Sequence, residues 1–301
     1  MEAINVDQLS NSILDQMNRD LAEKMDGDCV FINCGMLAPL DDEFRVAIEK
    51  IKESNSLLQR SEQKHLIVLL ETGGGYMETV ERLVAVMRSH YETVSFVIPN
   101  FAYSAGTVLA LSGDRIFMDY YSVLGPIDPQ IRDSQGKELL PGAGYLSKFN
   151  ELIKEVNDNQ DADAQLAFLV KNFDPARLFH IEQSINHGIS LIQEWLPKYK
   201  FKNWKKTASK GKTVTKKMRV NRATAIAKIL GNAEKWHSHG RGIPMSELGG
   251  EEIKLEIEDF GSDPDLSSKI RNYHGLCVDF FTKKCGYNGY IHSTSGIRRI
   301  F

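Results

Sequence analysis

His65-Leu66-Ile67-Val68-Leu69-Leu70-Glu71-Thr72-Gly73-Gly74-Gly75 is the stretch on which the fold turns. Leu66 to Leu70 form an unbroken apolar run, which belongs in a strand buried on both faces, as in a parallel sheet. The glycines end the run. A helix from about residue 78 to 88 follows, with Val80, Leu83, Val84 and Met87 on one face. The same alternation repeats on either side. Downstream, Thr93 to Ile98 reads as a strand, Val108 to Ser112 as a helix and Asp114 to Met118 as a further strand. Upstream, Cys29 to Ile32 is a short strand, and Asp41 caps a helix that turns Phe44, Ile48 and Ile51 inward. Strands alternating with helices make βαβ units, so an α/β protein is expected, with a parallel sheet covered on both faces.

The 301 residues suit one large domain or a domain with an appendage. An apolar fraction of 42% is enough for a full core, and a net charge of −3 makes no global case for a nucleic-acid or membrane partner. The cysteines are Cys29, Cys34, Cys277 and Cys285; no C-x-x-C pair and no metal-type arrangement with histidine occurs. Their scarcity suits a reducing compartment. Met1 to Asp20 carries acidic residues and no long apolar run, so it does not read as a signal peptide. No stretch reaches the length that spans a bilayer. A cytoplasmic protein is expected.

The chain divides into four parts. Residues 1–27 hold an amphipathic first helix, in which Val6, Leu9, Ile13, Met17 and Leu21 recur at spacings of three and four. Residues 28–196 form the α/β core, helical from about 145. Residues 197–233 are a basic loop and helix insertion: they hold twelve Lys and Arg, ten of them between Lys198 and Arg219, and no acidic residue. Tyr199, Phe201 and Trp204 interleave with the first of these cations. Residues 234–301 complete the core and add a tail. There Trp236 to Pro244 reads as a loop, Ile253 to Ile257 as a short strand and 261–268 as a polar linker.

Two features fall in successive βα turns, which line the ligand-collecting edge of a parallel sheet. One is the glycine run at 73–75. The other is Ser104, in Asn100-Phe101-Ala102-Tyr103-Ser104-Ala105-Gly106-Thr107. A serine at the start of a helix is placed either as an acyl-transfer nucleophile favoured by the helix dipole or as an ordinary N-cap. Glycines without Cβ atoms let a substrate carbonyl approach backbone N–H groups. The N–H groups of Gly74 and Ala105 are the natural pair for an oxyanion hole. Gly73 and Gly75 are candidate substrate contacts. A phosphate cradle is disfavoured, because neither G-x-G-x-x-G spacing nor a following Lys-Ser/Thr pair is present. The third feature is Ser122-Val123-Leu124-Gly125-Pro126-Ile127-Asp128-Pro129-Gln130, in which two prolines bracket Asp128, a further candidate substrate contact, in a rigid turn.

Taken in order, Thr72-Gly73-Gly74-Gly75, Ser104-Ala105-Gly106-Thr107, Ala110-Leu111-Ser112-Gly113-Asp114 and Leu124-Gly125-Pro126-Ile127-Asp128-Pro129-Gln130 resemble the serine dehydrogenase proteinase family. Those proteins are soluble relatives of signal peptide peptidase A within the Clp protease/crotonase fold. The resemblance is strong over about 65–131 and weaker from 141 to about 257. The first 27 residues, the basic segment and the tail lie outside it. It implies a serine peptidase with Ser104 as nucleophile, no metal or organic cofactor, peptide or protein substrates, and assembly into rings or dimers. The chain has no histidine between His90 and His180, so a Clp-type triad lacks its base. The signal peptide peptidase branch uses a lysine on a later helix, and the resemblance implies Lys154 or Lys148. Lys154 lies 50 residues after Ser104 but points away from the apolar face of its helix, formed by Leu146, Phe149, Ile153 and Val156. Lys148 borders that face. His237 and His239 fall in a loop resembling one of the family and are read as structural or hydrogen-bonding. They lack the ligand spacing of a metal pair. His180 and His187 are packing or partner-facing.

Two further readings stay open. The paired backbone donors also suit a crotonase-type enzyme that stabilises acyl-CoA enolates. The basic segment suits a catalytically inactive scaffold that binds protein, or nucleic acid through cations and interleaved aromatics, although no nucleic-acid motif accompanies it.

Overall fold

The computed structural model describes residues 5–57, 63–132, 137, 139–158, 163–207 and 211–301. In chain order the elements are α1 (Val6–Lys24), β1 (Asp28–Asn33), α2 (Leu40–Leu57), β2 (His65–Glu71), α3 (Met77–His90), β3 (Thr93–Val97), β4 (Phe101–Ala102), α4 (Ala105–Leu111), β5 (Arg115–Met118), β6 (Val123–Leu124), β7 (Gln130–Arg132) and β8 (Leu139–Pro141). Then come α5 (Gly142–Asp158), α6 (Asp163–Asn172), α7 (Pro175–Lys198), α8 (Lys216–Leu230), α9 (Ala233–Trp236), β9 (Ile243–Pro244), α10 (Met245–Gly249), β10 (Glu258–Asp259), α11 (Pro264–Cys277), β11 (Tyr290–Ser293) and β12 (Gly296–Arg299).

The main sheet has the order β10-β5-β3-β2-β1-β11-β12. The pairs from β10 to β1 are parallel, and β11 and β12 close the far edge antiparallel. Alternate residues of β2 feed two cores. Leu66, Val68 and Leu70 pack under α2, α3, α4, α7 and α8, while Ile67 and Leu69 pack under α1 and α11. The mixed α/β architecture with a central, mostly parallel sheet and flanking helices is the expected one. Burial on both faces is why this strand reads as a continuous apolar run.

Two elements of the C-terminal part differ from expectation. Residues 253–257 are not a strand. Ile253 and Leu255 are buried, but Lys254 has φ 48°, and this left-handed residue breaks the extended run. The strand lies just beyond, where Glu258 and Asp259 pair in parallel with Phe117 and Met118. Nor is 261–268 a linker, since α11 starts inside it. Asp263 caps the helix by accepting from the N–H groups of Asp265 and Leu266, with Pro264 at the first helical position.

The basic segment is partly absorbed by the core. Phe201 is buried, Tyr199 and Trp204 pack against the same cluster, and the Arg88 guanidinium stacks over Tyr199 at 3.6 Å. The aromatics between the cations are thus packed into or against the core. Residues 208–210 of this segment lie outside the described residues.

A second sheet, β4-β6-β9, stands at the edge where the parallel strands end. A single bridge, Thr72 to Ala102, ties it to the glycine turn after β2. This small sheet positions the site.

Candidate active site

Ser104 stands between β4 and α4 with φ 52° and ψ −119°. That region is costly for any residue with a Cβ, by about 1–3 kcal/mol, and persists only where the surroundings impose it. Its hydroxyl makes no capping hydrogen bond. The serine occupies the N-cap position without capping, and its side chain is only partly covered. Every residue of α4 behind it is buried, so the helix cannot move to relieve the turn.

The surroundings that impose the turn are identifiable. Gly74 has φ 100°, and a methyl group on it would come within 2.8 Å of Ser104 Cβ, 2.9 Å of Tyr103 O and 3.3 Å of Ala105 N. Only glycine lets the two turns meet this closely. Gly74 N–H donates to Thr72 Oγ1 at 3.1 Å, while Gly74 O accepts from Met36 N–H at 2.8 Å. Gly73 and Gly75 are exposed on either side. Beneath, the Thr107 hydroxyl lies 2.8 Å from Ala102 O and 2.9 Å from Gly125 O, and accepts from Gly125 N–H at 2.9 Å. It thereby fastens α4 to both β4 and the turn after β6. Gly125 itself touches Tyr103, since a methyl group there would stand 3.0 Å from Tyr103 Cα.

Asp128 is buried in the turn that continues from Gly125. Its Oδ1 accepts from His239 Nδ1 at 2.9 Å. Sequence reasoning treats His239 as structural and Asp128 as a substrate contact. Nothing local announces their pairing across 111 residues.

The two lysines sit differently. Among the described residues, no hydrogen bond joins Lys148 or Lys154 to Ser104. Both are exposed on α5. Lys148 Nζ pairs with Glu151 at 2.9 Å, and that bond holds its ammonium charged, above its ordinary range. The preceding residue, Ser147, donates through its Oγ to Glu234 of α9 at 2.7 Å. Among the described residues, a lysine whose charge burial disfavours is Lys200, which feels Glu256, Glu258 and Arg115. Arg115 opens β5, so Lys200 lies toward the edge opposite Ser104. Among the described residues, no group of three His, Cys, Asp or Glu side chains can hold a metal ion, and no helix is long and apolar enough to cross a membrane.

A mostly parallel sheet thus carries a strained serine that opens a buried helix beside a glycine turn. Residues 47–172 match the model of the family described as ClpP-like SDH-type serine proteinase, the family that the motifs resemble. Two uncharacterised proteins of Methanocaldococcus jannaschii are similar to the chain. One is 31% identical over 85 residues, covering 27% of this chain and 30% of its own length. The other is 29% identical over 112 residues, covering 36% of each. The chain thus spans about a third of the length of these curated relatives. Among solved structures, a serine-to-alanine variant of the 1510-N membrane-bound stomatin-specific protease matches 52% of this chain and 81% of its own at 18% identity and a TM-score of 0.31. A lysine-to-alanine variant of the same protease, in complex with a substrate peptide, matches 77% and 90% at 17% identity and a TM-score of 0.31.

Proposed function

We propose that this chain is a serine peptidase in which Ser104 attacks the scissile carbonyl of a peptide or protein substrate. The observation that carries the reading is the Ser104 backbone, held at φ 52° beside Gly74 with a hydroxyl that caps nothing, inside the proteinase-family segment. A strained turn from strand to helix is how a nucleophilic serine is set clear of the backbone. The N–H of Ala105, at the head of α4, has no acceptor within its helix, and Ala105 N lies beside Gly74. With the N–H of Gly74 it forms the oxyanion hole, once Gly74 exchanges its bond to Thr72 for one to substrate. Gly73 and Gly75 flank the substrate backbone.

In the lysine form of the reaction, Lys154 or Lys148 removes the serine proton. That form needs an uncharged amine, hence a lysine withdrawn from water and from carboxylates. With both lysines exposed on α5, it requires that face to be covered when the site works, for instance by a second copy of the chain, and it requires Lys148 to leave Glu151.

The test is hydrolysis of an unstructured protein or peptide library by purified chain and by Ser104→Ala. The wild type is expected to cleave, and the variant to lose at least about 10³-fold in rate while melting no lower than wild type. Equal cleavage by both would contradict the assignment.

A further inference from the structure

We propose that His239, oriented by Asp128, is the general base of Ser104; the proposal rests on the serine-peptidase reading above. The small sheet supplies the juxtaposition. β4 and β6 run parallel, Phe101 beside Val123 and Ala102 beside Leu124, so Ser104 and Asp128 both follow strands that leave at one edge. β9 runs antiparallel to β6, Leu124 beside Ile243, so the residues that precede it return to that same edge, His239 among them. Close packing holds the register. Gly242 lies where a methyl group would come within 2.8 Å of Val123, and Gly125 lies against Tyr103, the neighbour of Ser104. His237, with φ 60°, turns the loop between α9 and β9.

The pair itself has the chemistry of an oriented base. His239 Nδ1 stands 2.9 Å from Asp128 Oδ1, and the two side chains are 12% and 1% exposed. A carboxylate accepts only, so Nδ1 is the donor of this bond, an arrangement that in the neutral ring leaves the lone pair on Nε2. Asp128 Oδ2 is buried and has no hydrogen-bond partner among the described residues. A bare buried carboxylate oxygen is costly in a resting protein. It is useful where a positive charge must form beside it, as it does when imidazole becomes imidazolium. His237 and Arg241 lie in the same loop as His239. Arg241 is turned toward Glu247 at 3.6 Å and the Trp236 ring at 5.7 Å.

The steps balance without a further reagent than water. Ser104 Oγ bonds to the carbonyl carbon as its proton passes to His239 Nε2 and the carbonyl electron pair moves to oxygen. The imidazolium then gives that proton to the departing amine as the C–N bond breaks. Water attacks the acyl-serine, its proton goes to Nε2, and the proton returns to Oγ when the acid leaves.

The test is the rate at which a fluorophosphonate labels the full chain, followed against pH, in wild type, His239→Gln, Asp128→Asn and Ser104→Ala, with thermal melting as the check on folding. His239→Gln and Asp128→Asn are expected to label at least about 100-fold more slowly. The fall of rate on the acid side, present in wild type, is expected to vanish in His239→Gln. Nitrogen-15 NMR of the wild type reads the tautomer independently of any variant: hydrogen on Nδ1 is expected, and hydrogen on Nε2 would overturn the proposal. Labelling of His239→Gln at the wild-type rate, with the acid limb intact, would also overturn it, and would leave the peptidase reading standing if Ser104→Ala alone fails to label. A wild type that does not label at all would remove both.

Discussion

Ser104 is a residue held where its own chemistry does not want it. A φ of 52° costs it about 1–3 kcal/mol, and Gly74 is the neighbour that permits the arrangement. Gly74→Ala brings a Cβ to 2.8 Å from Ser104 Cβ and to 2.9 Å from a backbone oxygen, on a backbone at φ 100°. It is expected to lower stability by about 1–3 kcal/mol in urea unfolding and to abolish peptide cleavage. Gly73→Ala, whose methyl meets nothing within 4 Å, is expected to unfold at the wild-type midpoint. Similar midpoints for the two variants would mean that the turns are not in contact. The position of Ser104 was legible in the sequence, because an apolar strand, a small-residue turn and an apolar helix are local signals. Its dihedral angles were not legible, because they are imposed by a glycine 30 residues away. The pairing of His239 with Asp128 was less legible still. A histidine two residues after another, in a glycine-bearing loop, looks the same whether it packs, caps or serves a base's role.

At the scale of elements, α4 is a short, wholly buried helix that Thr107 fastens to its neighbours. Thr107 links it to β4 and to the turn after β6 through one buried hydroxyl. Thr107→Val keeps the shape and leaves Gly125 N–H without its acceptor. It is expected to cost about 1–3 kcal/mol and to reduce cleavage by loosening Ser104 relative to Asp128. Unchanged stability would show that water or a shifted backbone replaces the hydroxyl. The parallel elements β1, β2, β3 and β5 with α2 and α3 were readable from periodicity, since each buries a regular stripe. The elements misjudged lie where backbone detail overrides pattern. Ile253 and Leu255 alternate like a strand, yet the left-handed Lys254 between them denies it. The start of α11 was hidden by a polar composition, although Asp263-Pro264 carries both a cap and a first-position proline.

For the whole molecule, the tail does more than the sequence suggested. β11 pairs with β1, Asn33 beside Tyr290, β12 pairs with β11, and α11 covers one face of the sheet with α1. A pairing between residues 257 apart leaves no local trace. The basic segment is also tied in. Asp114, at the head of β5, binds Arg88 Nη1 at 2.7 Å, Val94 N–H at 2.8 Å and Lys202. Burial alone would raise its carboxyl, but the bonds from Lys202, Val94 and Arg88 outweigh it and hold the group below its ordinary 3.8. A depressed carboxylate contributes stability that is fully present above the ordinary value and is lost as pH falls through the lowered one. Asp114→Asn is therefore expected to destabilise the chain at neutral pH by about 3 kcal/mol, with a smaller difference from wild type at the acid end. Parallel curves of stability against pH would show that Asp114 is not held in this way.

The central claim is that the strained serine at the head of α4 is the nucleophile. Mass spectrometry of the fluorophosphonate-treated chain tests it most directly. A single adduct on the peptide that contains Ser104 is the result expected. An unmodified Ser104, or an adduct on another residue, would contradict it.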